Sequence, residues 1–519
     1  MIPALGTWSS IHALRSPERP ALIDGVTGDM ISYSELDTRT TQLADGLRRR
    51  GVEAGDRVAI FAINSPQMLE AFLAVVKLGA ISVMINIRLT APEVRYILTD
   101  SGATNLIAST ALLPVAQEAI DETPISSIIT IAMAEERQAG TESGFDELLA
   151  DGAEAETATA GFPDVDPDSP AVLMYTSGTT GKPKGAIITH ANLFWVSLYH
   201  NAFEKGLNRY DVSLASAPLF HIGALALYTI PGLYWGSCTV VQEMFDPNQW
   251  LDLVDEYGVT KAFAVPTMWA AIAGSVGTRS IDSLDVAITG GAPCPLPVIE
   301  TLQSKGVRFT EGFGMTETTA MASALPAADV TAKLGSIGLP AHHVEFSIVD
   351  PLGQPTPVGE VGELLVRGPS VSPGYWNNEA ATAEAFRDGW FHSGDLATVD
   401  EDGYYRIVDR MKDMVISGGE NVYPVEVEQV LYGHPSVAEV AVIGAPDEKW
   451  GETVTAVIVL KPDQPHTVDE LVDDIREFAQ QRLARFKLPR RIEFVDELPR
   501  TATGKIRKVE LRSLLSSSS

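Results

Sequence analysis

Eleven consecutive residues, YTSGTTGKPKG at 175–185, place four hydroxyl side chains (Thr176, Ser177, Thr179, Thr180), three glycines (Gly178, Gly181, Gly185) and two lysines (Lys182, Lys184) in one loop. Backbone N–H groups, hydroxyl donors and ammonium charge are what a phosphate chain needs around it, so this loop predicts nucleotide binding. It is not a GxxxxGK[ST] loop: Gly178 and Gly181 are separated by only two residues, and Lys182 precedes Pro183. An apolar strand, AVLM at 171–174, leads into it, and a helix is expected to follow.

The full string resembles the signature of the adenylate-forming superfamily, which takes in acyl-CoA and aryl-CoA ligases, luciferases and the adenylation domains of peptide synthetases. Further motifs follow in the family's order over nearly the whole chain. TEGFGMTET (310–318) is similar to the second nucleotide motif, with Phe313 where a tyrosine is usual, so the ring that stacks on adenine is kept and a hydroxyl is lost. The resemblance implies that Gly312, Phe313 and Gly314 border the nucleotide, that Thr316 touches the α-phosphate and the acyl carboxylate, and that Glu317 holds Mg²⁺, a hard ion that prefers oxygen ligands. ITGGAP resembles the adenine-side turn, with Gly290, Gly291 and Ala292. FHSGDL and YRIVDR supply Asp395 for the ribose hydroxyls, with Arg410 and Ile407 as further nucleotide contacts.

Attack of a carboxylate on the α-phosphate builds charge on phosphate oxygens and on departing pyrophosphate, so fixed positive charge is required. PRTATGKIRK (499–508) resembles the superfamily's last motif and makes Lys505 the catalytic lysine. His221 in APLFHIGA matches the residue that lines the acyl site. An acid pocket of small and apolar residues is expected from His221, Ala264, Pro266, Ile288, Gly290, Gly312, Met315 and Met321. It has no cation for a second carboxylate, which favours a monocarboxylate.

For the thiol step, SGGENVYP (417–424) resembles the thioester motif, in which Gly418 and Gly419 leave room for a pantetheine arm. Trp450, the run Arg485-Phe486-Lys487, and Arg88 match CoA contacts. In texture the chain is similar to bacterial fatty-acid:CoA ligases, so the expectation is a medium- or long-chain fatty acid. An aryl-acid:CoA ligase, or an adenylating enzyme that loads a carrier protein or an amine, is the alternative. The small molecules implied are a carboxylic acid, ATP and CoA, with Mg²⁺ as cofactor. A homodimer and a peripheral membrane contact stay open.

These residues need a large scaffold, and 519 residues exceed one hydrophobic core. Short apolar runs, RVAIFAI (57–63), AISVMI (80–85) and TNLIAS (104–109), alternate with helical patterns such as SPQMLEAFLAVVKLG (65–79). That alternation predicts an α/β fold: a large N-terminal domain (1–410) of layered, mostly parallel sheets with packed helices. The texture changes near residue 410. A small, mobile α+β domain (413–519) is expected beyond a hinge at 411–412, and the resemblance makes Lys412 the hinge residue.

The net charge of −30 argues against nucleic acid and anionic lipid as general partners. Two cysteines, Cys238 and Cys294, lack ligand spacing, so neither a disulfide framework nor structural zinc is expected, and a reducing cytoplasm fits. The N-terminus does not read as a secretory signal. Asp211–Glu243 encloses an uncharged apolar stretch, but Pro218, Pro231 and glycines interrupt it, which predicts a buried helix-turn-strand core and not a membrane span.

Overall fold

The computed structural model describes residues 2–153, 162–176, 182–417, 420–447, 450–462, 468–500 and 506–516. The chain divides into two units, Met1–Phe346 with Val366–His392, and Ser347–Leu365 with Ser393–Ser519.

The first unit contains two large sheets. In one, the strands Arg308–Phe313, Val286–Gly290, Lys261–Ala264, Val212–Ala215, Cys238–Val241 and Pro20–Asp24 run parallel in that order. Antiparallel strands close both edges. In the other, Ser127–Ile131, Asn105–Ser109, Arg57–Phe61, Ile81–Met84 and Pro170–Thr176 are parallel, and Lys184–Thr189 is antiparallel at the edge. The layered, largely parallel α/β reading therefore holds.

Local signals act as the residues require. Ser65 accepts the Met68 N–H at 3.1 Å and Pro66 opens the helix Pro66–Lys77, where its missing N–H costs nothing. The apolar stretch after Asp211 folds as the strand Val212–Ala215, a helical run Ile222–Trp235 and the strand Cys238–Val241, all packed inside the unit. Among the described residues no helix is long and apolar enough to cross a membrane. Both cysteines are free and buried.

One expectation fails. After the phosphate loop comes the strand Lys184–Thr189, not a helix, paired antiparallel with Pro170–Thr176. The helix His190–Tyr199 starts only after that strand. The run KGAIIT carries the branched apolar residues of a strand, and it closes a hairpin around the loop.

The second unit holds a sheet of Val415–Ser417, Glu420–Val422, Val437–Asp447, Gly451–Leu460 and Arg491–Phe494. The helices Pro424–Tyr432 and Val468–Gln480 supply Val427, Leu431 and Ile475 to a core with Val442 and Val454. Arg410, at the end of Tyr405–Arg410, leads into the turn Met411–Asp413, which contains Lys412.

Two buried histidines in the first unit give the fold an acid sensitivity. Burial pulls His190 down to about 4, and its Nδ1 accepts the Leu5 N–H at 3.3 Å. Burial, with Lys261 nearby, pulls His200 down to about 3. Both fold neutral, whereas an unfolded imidazole protonates near pH 6.5. Their contribution is complete above that value and is lost as pH falls from about 6.5 toward the folded values, roughly 3 kcal/mol for His190 alone. Glu311, pushed up to about 7 by burial, acts with the opposite sign in the same window. His200→Gln is therefore expected to flatten the fall of the thermal midpoint between pH 6.5 and 5, and a slope equal to wild type would remove His200 from this account.

Candidate active site

Three segments distant in sequence meet in the first unit: the hairpin around the phosphate loop, the turn after Arg308–Phe313, and residues 370–376. The third was not singled out by its sequence. Tyr375 pairs with Ala186, Trp376 N–H donates to Gly185 O at 2.7 Å, and Ile187 N–H donates to Gly374 O at 3.0 Å. Thr319 Oγ1 donates to Ser370 O at 2.8 Å, and Ser372 N–H donates to Glu317 O at 2.8 Å.

These contacts fix the turn that carries Thr316 and Glu317. The 3₁₀ turn Thr316–Thr318 leaves Thr319 (φ 54°) and Ala320 (φ 75°) in succession in left-handed conformations, uncommon outside glycine. A Cβ on Gly314 would sit 2.1 Å from Ala320 O, so only glycine lets the turn close. Glu317 is buried. Its Oε1 accepts the Tyr375 hydroxyl at 2.9 Å and lies 3.5 Å from Thr176 Oγ1. Burial and the Glu317 charge push the Tyr375 phenol up, so it stays protonated and donates. Lys184 Nζ stands 5.1 Å from the centre of the Tyr375 ring, and Lys182 Nζ stands 5.9 Å from that of Tyr96. Ser177, Gly178, Thr179, Thr180 and Gly181 lie outside the described residues.

The parallel strands Val286–Gly290 and Arg308–Phe313 place Gly290 beside Gly312. Gly291 follows at φ 85°, where a side chain would be strained, and leads to exposed Ala292. Glu311, also missed by the sequence reading, accepts the Cys294 N–H beyond this turn and braces it from a buried position.

Most neighbours in these strands are buried, but Gly290, Gly312, Phe313, Met315, Thr316, His221, Gly223 and Phe263 are only partly so. Ile288 lies below them, its Cγ2 3.5 Å from where a Gly312 Cβ would be. His221 precedes the helical run Ile222–Trp235, with its ring 4.6 Å from that of Phe220. Pro266 opens the helix Pro266–Val276, and Met321 is buried behind the turn. The expectation for Ala264 needs correction. Phe263 pairs with Ile288, and Ala264 pairs with Thr289 one residue further on. Side chains alternate along a strand, so Ala264 turns its Cβ to the opposite face and Phe263 presents its ring.

In the second unit, Asp395 and Arg410 are register partners joined by an ion pair of 2.6 Å. Asp395 is buried and Ile407 lies opposite Ala397 on the same hairpin. Gly418 and Gly419 lie outside the described residues. Ser417, just before them, pairs with Gly451 next to Trp450. Arg490 stacks over the Trp450 ring at 4.2 Å. The turn Arg485–Lys487 exposes Arg485 and Phe486, while Lys487 is held by Glu426 at 2.6 Å. Arg88, on the first unit, is exposed. Lys505 lies outside the described residues, and Arg500 and Ile506 on either side of that segment pair as an antiparallel bridge.

A phosphate hairpin, a buried carboxylate beside a threonine, and a glycine-faced strand edge define the class of an ATP-dependent carboxylate-activating enzyme. The chain belongs to the AMP-binding enzyme family, whose profile matches residues 10–376, with the family's C-terminal domain matching 426–505. It is 42% identical to a feruloyl-CoA synthase from an Amycolatopsis species over 510 residues, 98% of each chain. It is 34% identical to a long-chain-fatty-acid–CoA ligase from Mycobacterium tuberculosis over 508 residues, 96% of each. The o-succinylbenzoate CoA synthetase of Bacillus subtilis, solved with its acyl-adenylate intermediate, superposes with a TM-score of 0.85 at 34% identity, covering 98% of this chain and 97% of that one. The chain is accordingly an AMP-forming acid–thiol ligase.

Proposed function

We propose that the chain activates an aromatic monocarboxylic acid. The acid's carboxylate oxygen attacks the α-phosphorus of ATP, the bond to pyrophosphate breaks, and an acyl-AMP forms. The CoA sulfur then attacks the acyl carbon, the thiol proton is lost, and AMP departs as the thioester forms. The expectation of a fatty acid gives way here to its alternative, because the relative named for feruloyl-CoA is more similar to the chain, at 42% identity, than the one named for long-chain fatty acids, at 34%. The observation that carries the reading is a pair of half-buried glycines, Gly290 and Gly312, side by side on adjacent parallel strands, with the Phe263 ring 3.6 Å from where a Gly290 Cβ would be.

Within this reading Thr176, Lys182, Lys184 and the loop between them hold the phosphates, Asp395 holds the ribose, and Phe313 borders the adenine. Glu317 would hold a Mg²⁺ ion through its carboxylate. It offers one oriented carboxylate, and among the described residues no cluster of three or more acidic, histidine or cysteine groups could hold a metal ion. Bound there, Mg²⁺ would neutralise charge developing on the phosphates. Tyr375 aims the carboxylate. Glu317→Gln is expected to raise the Mg²⁺ concentration needed for pyrophosphate release more than tenfold, and Tyr375→Phe to raise it by roughly tenfold, the worth of a hydrogen bond to a charged group. A lowered rate with unchanged Mg²⁺ dependence in both variants would count against the assignment.

The acid is tested by a panel of benzoic, cinnamic, arylacetic and alkanoic acids, scored by pyrophosphate release with and without CoA. The reading expects aryl acids to give the highest kcat/KM and CoA to raise turnover. A preference for tetradecanoic acid over every aryl acid would reject it.

A further inference from the structure

The helix Ala91–Ser101 begins at a capping box, in which the Thr90 N–H and hydroxyl both donate to the Glu93 carboxylate. Val94, Ile97 and Leu98 join the core with Ala59, Phe61 and Leu173, so the helix is a fixed platform. Its C-terminal carbonyls are held from outside. Arg57 Nε donates to Ser101 O at 2.8 Å and its Nη2 to Gly102 O at 2.9 Å, while Asn377 Nδ2 donates to Asp100 O at 2.9 Å. Asn377 adjoins Trp376, whose N–H ties the same segment to Gly185.

Tyr96 and Asp100 stand four residues apart and therefore on one face of this helix. That face meets both arms of the phosphate hairpin. Asp100 Oδ2 accepts the Tyr175 hydroxyl at 2.7 Å on the outgoing arm, and the Tyr96 hydroxyl donates to Pro183 O at 3.1 Å on the returning one. The arms are close there: Tyr175 and Gly185 are register partners, and a Cβ on Gly185 would meet the Tyr175 ring at 3.0 Å. Burial and the Asp100 carboxylate push the Tyr175 phenol up, so it stays a donor. Both lysines of the loop rest on rings, Lys182 on Tyr96 at 5.9 Å and Lys184 on Tyr375 at 5.1 Å. A ring, unlike a carboxylate, holds an ammonium without neutralising it, so the charge remains for an anion.

We propose that Tyr96 and Asp100 are positioning residues for triphosphate binding: they brace the two arms of the hairpin from one helix face, and Tyr96 presents the Lys182 ammonium to the phosphates. This rests on the reading above, in which Thr176, Lys182 and Lys184 hold the phosphates of ATP. AMP lacks the two outer phosphates and keeps the ribose and adenine, which that reading gives to Asp395 and Phe313. Loss of the brace therefore weakens ATP more than AMP, whereas a general loosening of the unit weakens both alike. Removing the Tyr96 hydroxyl takes away one hydrogen bond, about 2- to 10-fold in affinity. Removing the ring also takes away the seat of the Lys182 charge.

The test measures dissociation constants for ATP and for AMP by calorimetry, with Mg²⁺ present, on wild type, Tyr96→Phe, Tyr96→Leu, Asp100→Ala, Asp100→Asn, Lys182→Ala and Lys184→Ala. Tyr96→Phe is expected to raise the ratio of the ATP to the AMP constant about 2- to 10-fold, and Tyr96→Leu roughly tenfold or more. Asp100→Ala is expected to raise it a few-fold, and Asp100→Asn, which keeps an acceptor for the Tyr175 hydroxyl, to restore most of that loss. Tyr96→Phe keeps the packing and decides the matter for Tyr96 if the leucine variant does not fold. A ratio unmoved in the folded variants of either residue, or ATP and AMP weakened equally, overturns that residue's positioning role. The phosphate reading then stands if Lys182→Ala or Lys184→Ala still raises the ratio. A ratio that neither lysine variant moves overturns both.

Discussion

Lys505→Ala is expected to lower acyl-adenylate formation about 100- to 1,000-fold, the range seen when one preorganised charge-stabilising group is removed, while transfer from supplied acyl-AMP to CoA stays near its normal rate. The two steps make separate demands. The first develops charge on the α-phosphate and pyrophosphate, and in the second the phosphoanhydride is already broken. Lys505 sits in PRTATGKIRK with Arg500, Arg507 and Lys508 close by in sequence, but these three have other engagements: Arg500 with Glu439 at 2.6 Å, Arg507 with Glu510 at 3.0 Å and Lys508 with Glu428 at 2.8 Å. A variant that still released pyrophosphate near the wild-type rate would transfer the catalytic charge to another residue.

Lys412→Pro is expected to separate the half-reactions: part of adenylation persists and most thioester formation is lost, a difference of at least tenfold. Lys505 and the Gly418-Gly419 motif both fall in the second unit, and the proposed reading gives one the nucleotide step and the other the thiol step. A hinge that exchanges them must absorb a large backbone rotation in a few residues. Lys412 lies in the 3₁₀ turn Met411–Asp413, whose usual φ of about −50 to −70° includes the value near −65° that proline enforces. Proline therefore accepts this turn and resists leaving it. The turn has anchors close by: Asp409 Oδ2 accepts the Val425 N–H at 2.9 Å, and Asp413 pairs with Arg512 at 3.1 Å. Single-turnover measurement of both half-reactions checks the prediction, and equal loss in the two, or loss in neither, removes Lys412 from the mechanism.

What was legible in the sequence is what chemistry restricts to a few residue types. A phosphate loop needs glycines, hydroxyls and lysines together, so that string declares itself, whereas Asp395 and Arg410 were reached only through the resemblance of FHSGDL and YRIVDR to family motifs, and their ion pair was not foreseen. The α/β alternation was equally open, because strands buried on both faces are short and apolar. Tyr375 was hidden because it lies 58 residues from Glu317, and nothing local in VSPGYW marks its hydroxyl as the donor to that carboxylate. The acid class was not legible for a related reason: the depth of an acid pocket depends on packing between distant segments, on which local strings such as DEKWGE and LARFKLP do not report.

The account's central claim is that an acyl-AMP forms before CoA takes part. Exchange of labelled pyrophosphate into ATP, followed with an aryl acid present and CoA absent, tests it most directly. The predicted result is exchange that requires the acid and needs no CoA, and that Lys505→Ala suppresses. Exchange that appears only when CoA is added, or release of ADP and inorganic phosphate in place of AMP and pyrophosphate, would contradict it.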